Sequence, residues 1–195
     1  MSKKINDEFY PVALTVAGSD SGGGAGIQAD LRTFNAFGIF GCSAVTAVTS
    51  QNPLEVRRVD AIGAEGVKAQ LDAVLDKLAV RWAKSGMLAD AATVRIVAKT
   101  VKERKLSLVC DPVMVSTSGA ALLAPDAADA VRDELLPVAK WITPNLPEAE
   151  RLLGEKINSF DECAEAARRL FELCGASVLL KTGHARFGDG ADDVI

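Results

Sequence analysis

Apolar runs too short for a helix alternate along the chain with stretches whose apolar residues recur every three or four positions. Pro11 to Gly18, PVALTVAG, is a continuous apolar run stopped by glycine, the pattern of a strand covered on both faces. From about Gly26 to Phe37 the pattern is helical, and Gly38 is placed to end it as the residue just past the C-cap. Cys42 to Ser50 is a second strand run, rich in valine and threonine and closed by Gln51, Asn52 and Pro53. Val56 to Gly63 is a shorter strand, after which Val67, Leu71, Val74, Leu75 and Leu78 mark an amphipathic helix. Arg81 to Ser85 is a brief strand broken at Gly86 and Met87, and Asp90 is placed as the N-cap of a helix that turns Val94, Val97 and Val101 inward. Leu106 to Cys110 is a strand ending in Asp111 and Pro112, with a polar loop over Ser116 to Gly119 after it. Pro125 opens a helix running to about Leu136. Trp141 to Thr143 is a very short strand stopped by Pro144, and Pro147 starts the next helix. Phe160, Cys163, Ala167, Leu170, Phe171 and Cys174 define a further amphipathic helix closed by Gly175. Ser177 to Lys181 is the last strand, and Thr182 to Gly190 is a glycine-rich loop holding the one histidine, His184.

Strands that alternate with helices call for right-handed crossovers and a mostly parallel sheet, so the fold class is α/β. In such sheets ligands bind beyond the carboxyl ends of the strands. Polar residues and glycines fall there repeatedly: Gly18 after the first strand, Gln51 after the second, Met87 after the fourth, Asp111 after the fifth, Asn145 after the sixth and Lys181 at the seventh. That recurrence, more than any one residue, argues for a site. No internal repeat or low-complexity linker interrupts the series, and 195 residues suit one domain.

Charge narrows the partners. With 22 Lys and Arg against 26 Asp and Glu, the net charge of −4 offers no basic surplus for a nucleic-acid backbone or an anionic membrane surface, so the expected ligand is small. Four cysteines, Cys42, Cys110, Cys163 and Cys174, form no C-x-x-C pair and read as buried free thiols of a reducing compartment. The polar opening MSKKINDEFY has no signal-peptide core, and no apolar stretch is long enough to span a bilayer; a cytoplasmic location is expected.

The turn AGSDSGGGAGIQAD, Ala17 to Asp30, is bare enough for backbone to approach a small ligand closely. Neither common phosphate fingerprint fits it. Counting from Gly18, the position a P-loop reserves for lysine is Gly24, and counting from Gly22, the third glycine of a dinucleotide motif is Ile27. Asp30 shares a helical stripe with Ile27, Leu31 and Phe34, which should face inward near the positive end of the helix dipole. An unpaired inward acid is costly, so a polar ligand is expected to partner it.

Each remaining candidate has a plainer reading beside the functional one. The Gln51 amide carries donor and acceptor in one plane and matches an aminopyrimidine or adenine edge; it also suits a turn. The Met87 thioether suits a flat ring, or the core. Asp111 before proline could hold magnesium or begin an Asx turn. Asn145 and Glu148, three apart at a helix start, could face one ion or phosphate, or cap the helix. Lys181, leaving an apolar strand, could reach a phosphate. His184 reads as a loop residue.

Taken together, AGSDSGGGAGIQAD, SQN at Ser50 to Asn52, SGML at Ser85 to Leu88, DPVMVSTSG at Asp111 to Gly119, TPNLPEAE at Thr143 to Glu150 and LLKTGH at Leu179 to His184 make the chain resemble the hydroxymethylpyrimidine and phosphomethylpyrimidine kinases, the thiamine-pathway branch of the ribokinase family. The resemblance runs from about Val12 to the last residue. It implies a ribokinase-like three-layer α/β/α sandwich, ATP and Mg2+ as cofactors, and phosphoryl transfer to the hydroxymethyl oxygen of the pyrimidine and then to its monophosphate. By position it implies a pyrimidine pocket at Gly18, Ala25, Asp30, Gln51 and Met87. The nucleotide side is implied at Asp111, Asn145, Glu148 and Lys181, with Asp111 and Glu148 on the metal, and homodimers are common in the family. One small departure is Gly22, where relatives commonly carry serine. The large one follows the KTGH region: the family's GTGC-type loop, whose amides cradle the transferring group and whose neighbour is the base, is not among these 195 residues. The expectation is a single ribokinase-like domain, residues 1–195, ending before that loop, with no catalytic residue to assign and with binding stronger than turnover. The alternatives are a pyridoxal-type kinase of the same fold and a non-catalytic pyrimidine-binding module.

Overall fold

The computed structural model describes residues 11–114, 125–183 and 193–195; the expected loop at Ser116 to Gly119 and His184 lie outside them. The strands are β1 (Val12–Asp20), β2 (Phe40–Gln51), β3 (Val56–Ala61), β4 (Trp82–Ser85), β5 (Ser107–Cys110), β6 (Trp141–Ile142) and β7 (Ser177–Val178). The helices are α1 (Gly26–Ala36), α2 (Ala64–Leu75), α3 (Ala91–Arg104), α4 (Pro125–Ala130), α5 (Leu146–Leu153) and α6 (Phe160–Cys174). Among the described residues the strands make one sheet in the order β3-β2-β1-β4-β5-β6-β7, parallel throughout except for the β2–β3 hairpin.

The register sorts side chains onto two faces. Leu14 lies beside Cys42 and Ala83, Ala83 beside Leu108, and Ile142 beside Cys110 and Val178. These join Val67 and Leu71 of α2, Val94 and Val97 of α3, and Cys163 and Leu170 of α6 in one buried cluster. The opposite face carries α1. A Cβ at Gly41 would come within 2.7 Å of Leu31 Cδ2, so the bare backbone of β2 lets α1 lie against it. The result is the expected α/β/α sandwich with unequal layers. The stripe of Ile27, Asp30, Leu31 and Phe34 does face the sheet, but it is half-buried, and α1 has no fully buried residue. β1, at the centre, is buried along almost its whole length.

Local chemistry ends the elements where the sequence indicates. Gly38, at φ +69°, donates to Asn35 O, and Ile39 donates to Phe34 O at 2.9 Å, which closes α1 in a Schellman motif. Asp90 caps α3 by accepting the Thr93 amide at 2.7 Å. The outer edge of β2 before the hairpin is covered by Gln70, which bonds both the N–H and the C=O of Val45. All four cysteines are free and buried, and burial pushes the Cys110 thiol up to about 12.

Three elements depart from the pattern-based reading. β1 runs two residues past Gly18, with its register against β2 shifting between Ala17 and Ser19, because the Thr49 hydroxyl holds Ser19 O at 2.9 Å and the chain turns only after Asp20. The helix expected from Pro125 to Leu136 is α-helical only to Ala130, then widens into a π turn over Val131–Leu135 and tightens to 3₁₀ over Leu136–Val138. Pro137 has no N–H for the carbonyl four residues back, and the Leu136 amide shifts to Val131 O instead. β7 stops at Val178. Lys181 still donates to Pro144 O at 2.9 Å, but Pro144 has no N–H to continue the ladder, and Leu180 pairs with Val194 instead.

Two glycines separate backbone strain from crowding. A Cβ on Gly38 would meet open space, whereas a Cβ on Gly26, at φ +58°, would lie 2.3 Å from Gly18 O. Gly38→Ala should cost about 1 kcal/mol, the penalty of a left-handed alanine. Gly26→Ala should cost on the order of 3 kcal/mol, because the turn must also open. Urea unfolding of both variants checks this, and equal losses would show that the close approach at Gly26 carries no energy.

Candidate active site

A cleft of about 350 Å3 lies at the carboxyl ends of the parallel strands, within the range of small-ligand sites. All nine residues expected at the site line it, although they come from β1, the glycine turn, α1, β2, α5 and the segments after β4, β5, β6 and β7.

The glycine turn is held from inside by Asp20. Its Oδ1 accepts the Gly22 amide at 2.8 Å and its Oδ2 the Ala25 amide at 2.9 Å, and Gln28 of α1 reaches back to the Asp20 amide and the Ser19 hydroxyl. Ala25 is thereby fixed as the N-cap residue of α1, and Gly18 presents its carbonyl beneath Gly26. The Ser21 hydroxyl ties this turn to β2, donating to Gln51 O at 2.7 Å and accepting the Gln51 amide at 2.8 Å. With its backbone clamped, the half-buried Gln51 side chain has, among the described residues, a 3.3 Å contact with Thr49 Oγ1. Met87 is buried, its carbonyl held by Thr46 Oγ1 at 2.6 Å, and its sulfur would stand 3.3 Å from a Cβ on Gly18. A side chain at Gly18 would require the Met87 thioether to give by a few tenths of an ångström.

Asp30 differs from the expectation. It is the fifth residue of α1, beyond the first turn, and it already has protein partners at one oxygen: Thr15 Oγ1 donates to its Oδ2 at 2.6 Å and Lys84 Nζ at 3.0 Å. Sequence reasoning missed Lys84 because its partner is 54 positions away. It also passed over Asp20, Thr49, Gly86 and Val113 of the cleft wall. The available signal was a lysine one residue from Ser85 and two from Gly86, inside a strand whose neighbours are buried.

At the other end, Lys181 Nζ donates to Asp111 Oδ1 at 2.9 Å. Asn145 and Glu148 form a complete capping box at the start of α5: Asn145 Oδ1 accepts the Glu148 amide at 2.9 Å and Glu148 Oε2 accepts the Asn145 amide at 2.8 Å. The capping reading is therefore correct, and both residues line the cleft as well. Glu148 is 5% exposed. Burial pushes its carboxyl up to about 7; the Asn145 amide and Lys181 oppose this and the charge of Asp111 adds to it. Asp111 and Glu148 share this end of the cleft with Lys181, so it is short of positive charge, which fits a hard divalent cation that keeps most of its waters and takes further oxygens from phosphates. No group of three or more metal-binding side chains exists among the described residues, so a cation here would depend on those phosphates.

The raised Glu148 value has a sign. The folded chain binds this proton more tightly than the unfolded chain, whose value is 4.5, so the group's contribution to stability is full below that pH and declines as pH rises to about 7. The decline should total about 3 kcal/mol. Glu148→Gln should remove it, so the stability of the wild type relative to the variant should fall between about pH 4.5 and pH 7.5 in urea unfolding. A constant difference over that window would contradict the assigned burial.

Known proteins are similar to this chain in sequence and in fold. Residues 20–195 match the phosphomethylpyrimidine kinase family. A hydroxymethylpyrimidine/phosphomethylpyrimidine kinase of Synechococcus elongatus is 50% identical over 175 residues, which cover 90% of this chain and 66% of the relative, so the chain spans about two thirds of that protein's length. The crystal structure of phosphomethylpyrimidine kinase from Clostridium difficile superposes with a TM-score of 0.84 at 40% identity, covering 94% of this chain and 79% of the other. An ADP complex of Bacillus subtilis pyridoxal kinase gives a TM-score of 0.82 at 37% identity, covering 95% and 74%. No helix among the described residues is long and apolar enough to cross a membrane. On sequence and fold alike, the chain belongs to the phosphomethylpyrimidine kinase family.

Proposed function

We propose that the protein phosphorylates 4-amino-5-hydroxymethyl-2-methylpyrimidine and its monophosphate with ATP as donor, in thiamine biosynthesis, and that residues 1–195 act as one ribokinase-like domain. The observation that carries this reading is the convergence of nine residues, scattered from Gly18 to Lys181, on one cleft of small-ligand size. Gly18, Ala25, Asp30, Gln51 and Met87 form the ring pocket in this reading. Gln51 reads the aminopyrimidine edge with its amide, and Met87 lies against the ring face. Asp111, Asn145, Glu148 and Lys181 form the nucleotide end. Lys181 meets phosphate charge, and Asp111 with Glu148 would hold Mg2+, which when bound neutralises charge on the transferring group. The ADP complex of the Bacillus subtilis relative supports an adenine nucleotide as co-substrate. Phosphoryl transfer depends mainly on positioning and charge, and the cleft supplies positioning at both ends. No base is assigned among the described residues.

A second reading is favoured by one observation: the Bacillus subtilis neighbour of the same fold is a pyridoxal kinase. Calorimetry with hydroxymethylpyrimidine and pyridoxal in parallel separates the two, tighter pyrimidine binding being the expected result. Gln51→Ala should weaken the pyrimidine about 10-fold and leave ATP affinity unchanged. Tighter binding of pyridoxal, or equal losses for pyrimidine and ATP, would overturn the assigned pocket.

A further inference from the structure

Where β1, α1 and β4 meet at the cleft, three elements converge on one carboxylate. Thr15 Oγ1 and Lys84 Nζ both donate to Asp30 Oδ2, at 2.6 and 3.0 Å. Thr15 is fully buried, and the side chains of Lys84 and Asp30 are 25% and 16% exposed. The pair is therefore largely removed from water, where deleting one partner costs far more than it does at the surface. Both residues also line the cleft. Gly86 makes room for the ammonium, since a Cβ there would stand 3.1 Å from Nζ.

An ionised carboxylate accepts and never donates. With Oδ2 held by two donors, and no donor reaching Oδ1 among the described residues, Oδ1 is the oxygen left for the occupant of the cleft. A ring that offers N–H or O–H at that place gains a charge-assisted bond, and one that offers a lone pair meets negative charge. Resting on the pyrimidine-kinase reading, we propose that Lys84 is a positioning residue: by fixing Asp30 Oδ2 together with Thr15 it aims Oδ1 at the ligand, and so makes the pocket select rings with a hydrogen-bond donor on that edge. For the pyrimidine the donor is the exocyclic amine or the hydroxymethyl O–H. Lys84 acts through Asp30 and needs no contact with the ring.

The test is calorimetry on the wild type, K84M, D30N and the double variant. The ligands are hydroxymethylpyrimidine, its analogue without the amine, and its analogue with methyl in place of hydroxymethyl. K84M should bind the parent compound about 10- to 100-fold more weakly. It should leave the affinity for the analogue that lacks the selected donor unchanged, and it should add nothing to the loss in D30N. Should K84M not fold by circular dichroism, K84Q, which keeps a donor but no charge, carries the same comparison. Equal loss for the parent and both analogues, additive loss with D30N, or no loss would overturn the role of Lys84. Failure of the wild type to bind hydroxymethylpyrimidine would overturn the proposed function first, and this inference with it.

Discussion

Asp20 is 5% exposed, and both of its carboxylate oxygens are taken by backbone amides of the glycine turn, those of Gly22 and Ala25. A buried carboxylate is tolerable only when it is so bonded, and the bonds fix more than the turn itself. They set where α1 starts, and the short approach of Gly26 to Gly18 O sets how close α1 lies to β1. The position of α1 in turn decides whether Asp30 can meet Thr15 on β1 and Lys84 on β4. One wall of the cleft thus descends from one acid. The Ser21–Gln51 clasp extends the same constraint to β2, so the turn is pinned to the end of the second strand.

The two ends of the cleft repeat one motif with different balance. Lys84 meets Asp30 at one end and Lys181 meets Asp111 at the other. The first pair is charge-matched and has a neutral hydroxyl as its third member. The second has a buried third member that is acidic, Glu148, whose carboxyl is raised to about 7 mainly by burial, with the charge of Asp111 adding to it. A charge-matched end suits a neutral ring with directional donors, and an end short of positive charge suits phosphates that arrive with a cation. The polarity of the cleft is therefore consistent with a heterocycle at the Lys84 end and a nucleotide at the Lys181 end.

Much of this was legible in the sequence because it rests on local rules. Gly38, Asp90, Gly175 and the Asn145–Glu148 box are turn and cap chemistry, decided within four residues, and the structure places each as the pattern indicates. The strand ends were legible because parallel sheets gather them. What could not be read is pairing across the sheet. Asp30 looked unpartnered because Lys84 and Thr15 reach it from two strands, and pattern alone carries no register between strands. The π turn before Pro137 was hidden for a different reason: a proline near a helix end marks disruption, while the choice between stopping and re-registering depends on what the helix packs against.

The strand order explains why the site needs neither of the common glycine fingerprints. From β1 the chain moves outward to β2 and β3, then returns across β1 to β4 and continues the other way to β7. With right-handed crossovers, that reversal puts α1 on one face of the sheet and the later helices on the other, and it opens a crevice between the turns that follow β1 and β4. Gly18 lies at one side of that crevice and Gly86 with Met87 at the other, just beyond the last paired residues of β1 and β4, so little side chain stands over the strand ends there. A phosphate loop at this position would place its amides at the helix start of α1, where the Ala25 amide is already engaged by Asp20. In the proposed reading the glycines after β1 shape the ring site, and the phosphate-binding role goes to the ends of β5 and β7, where Asp111 and Lys181 stand.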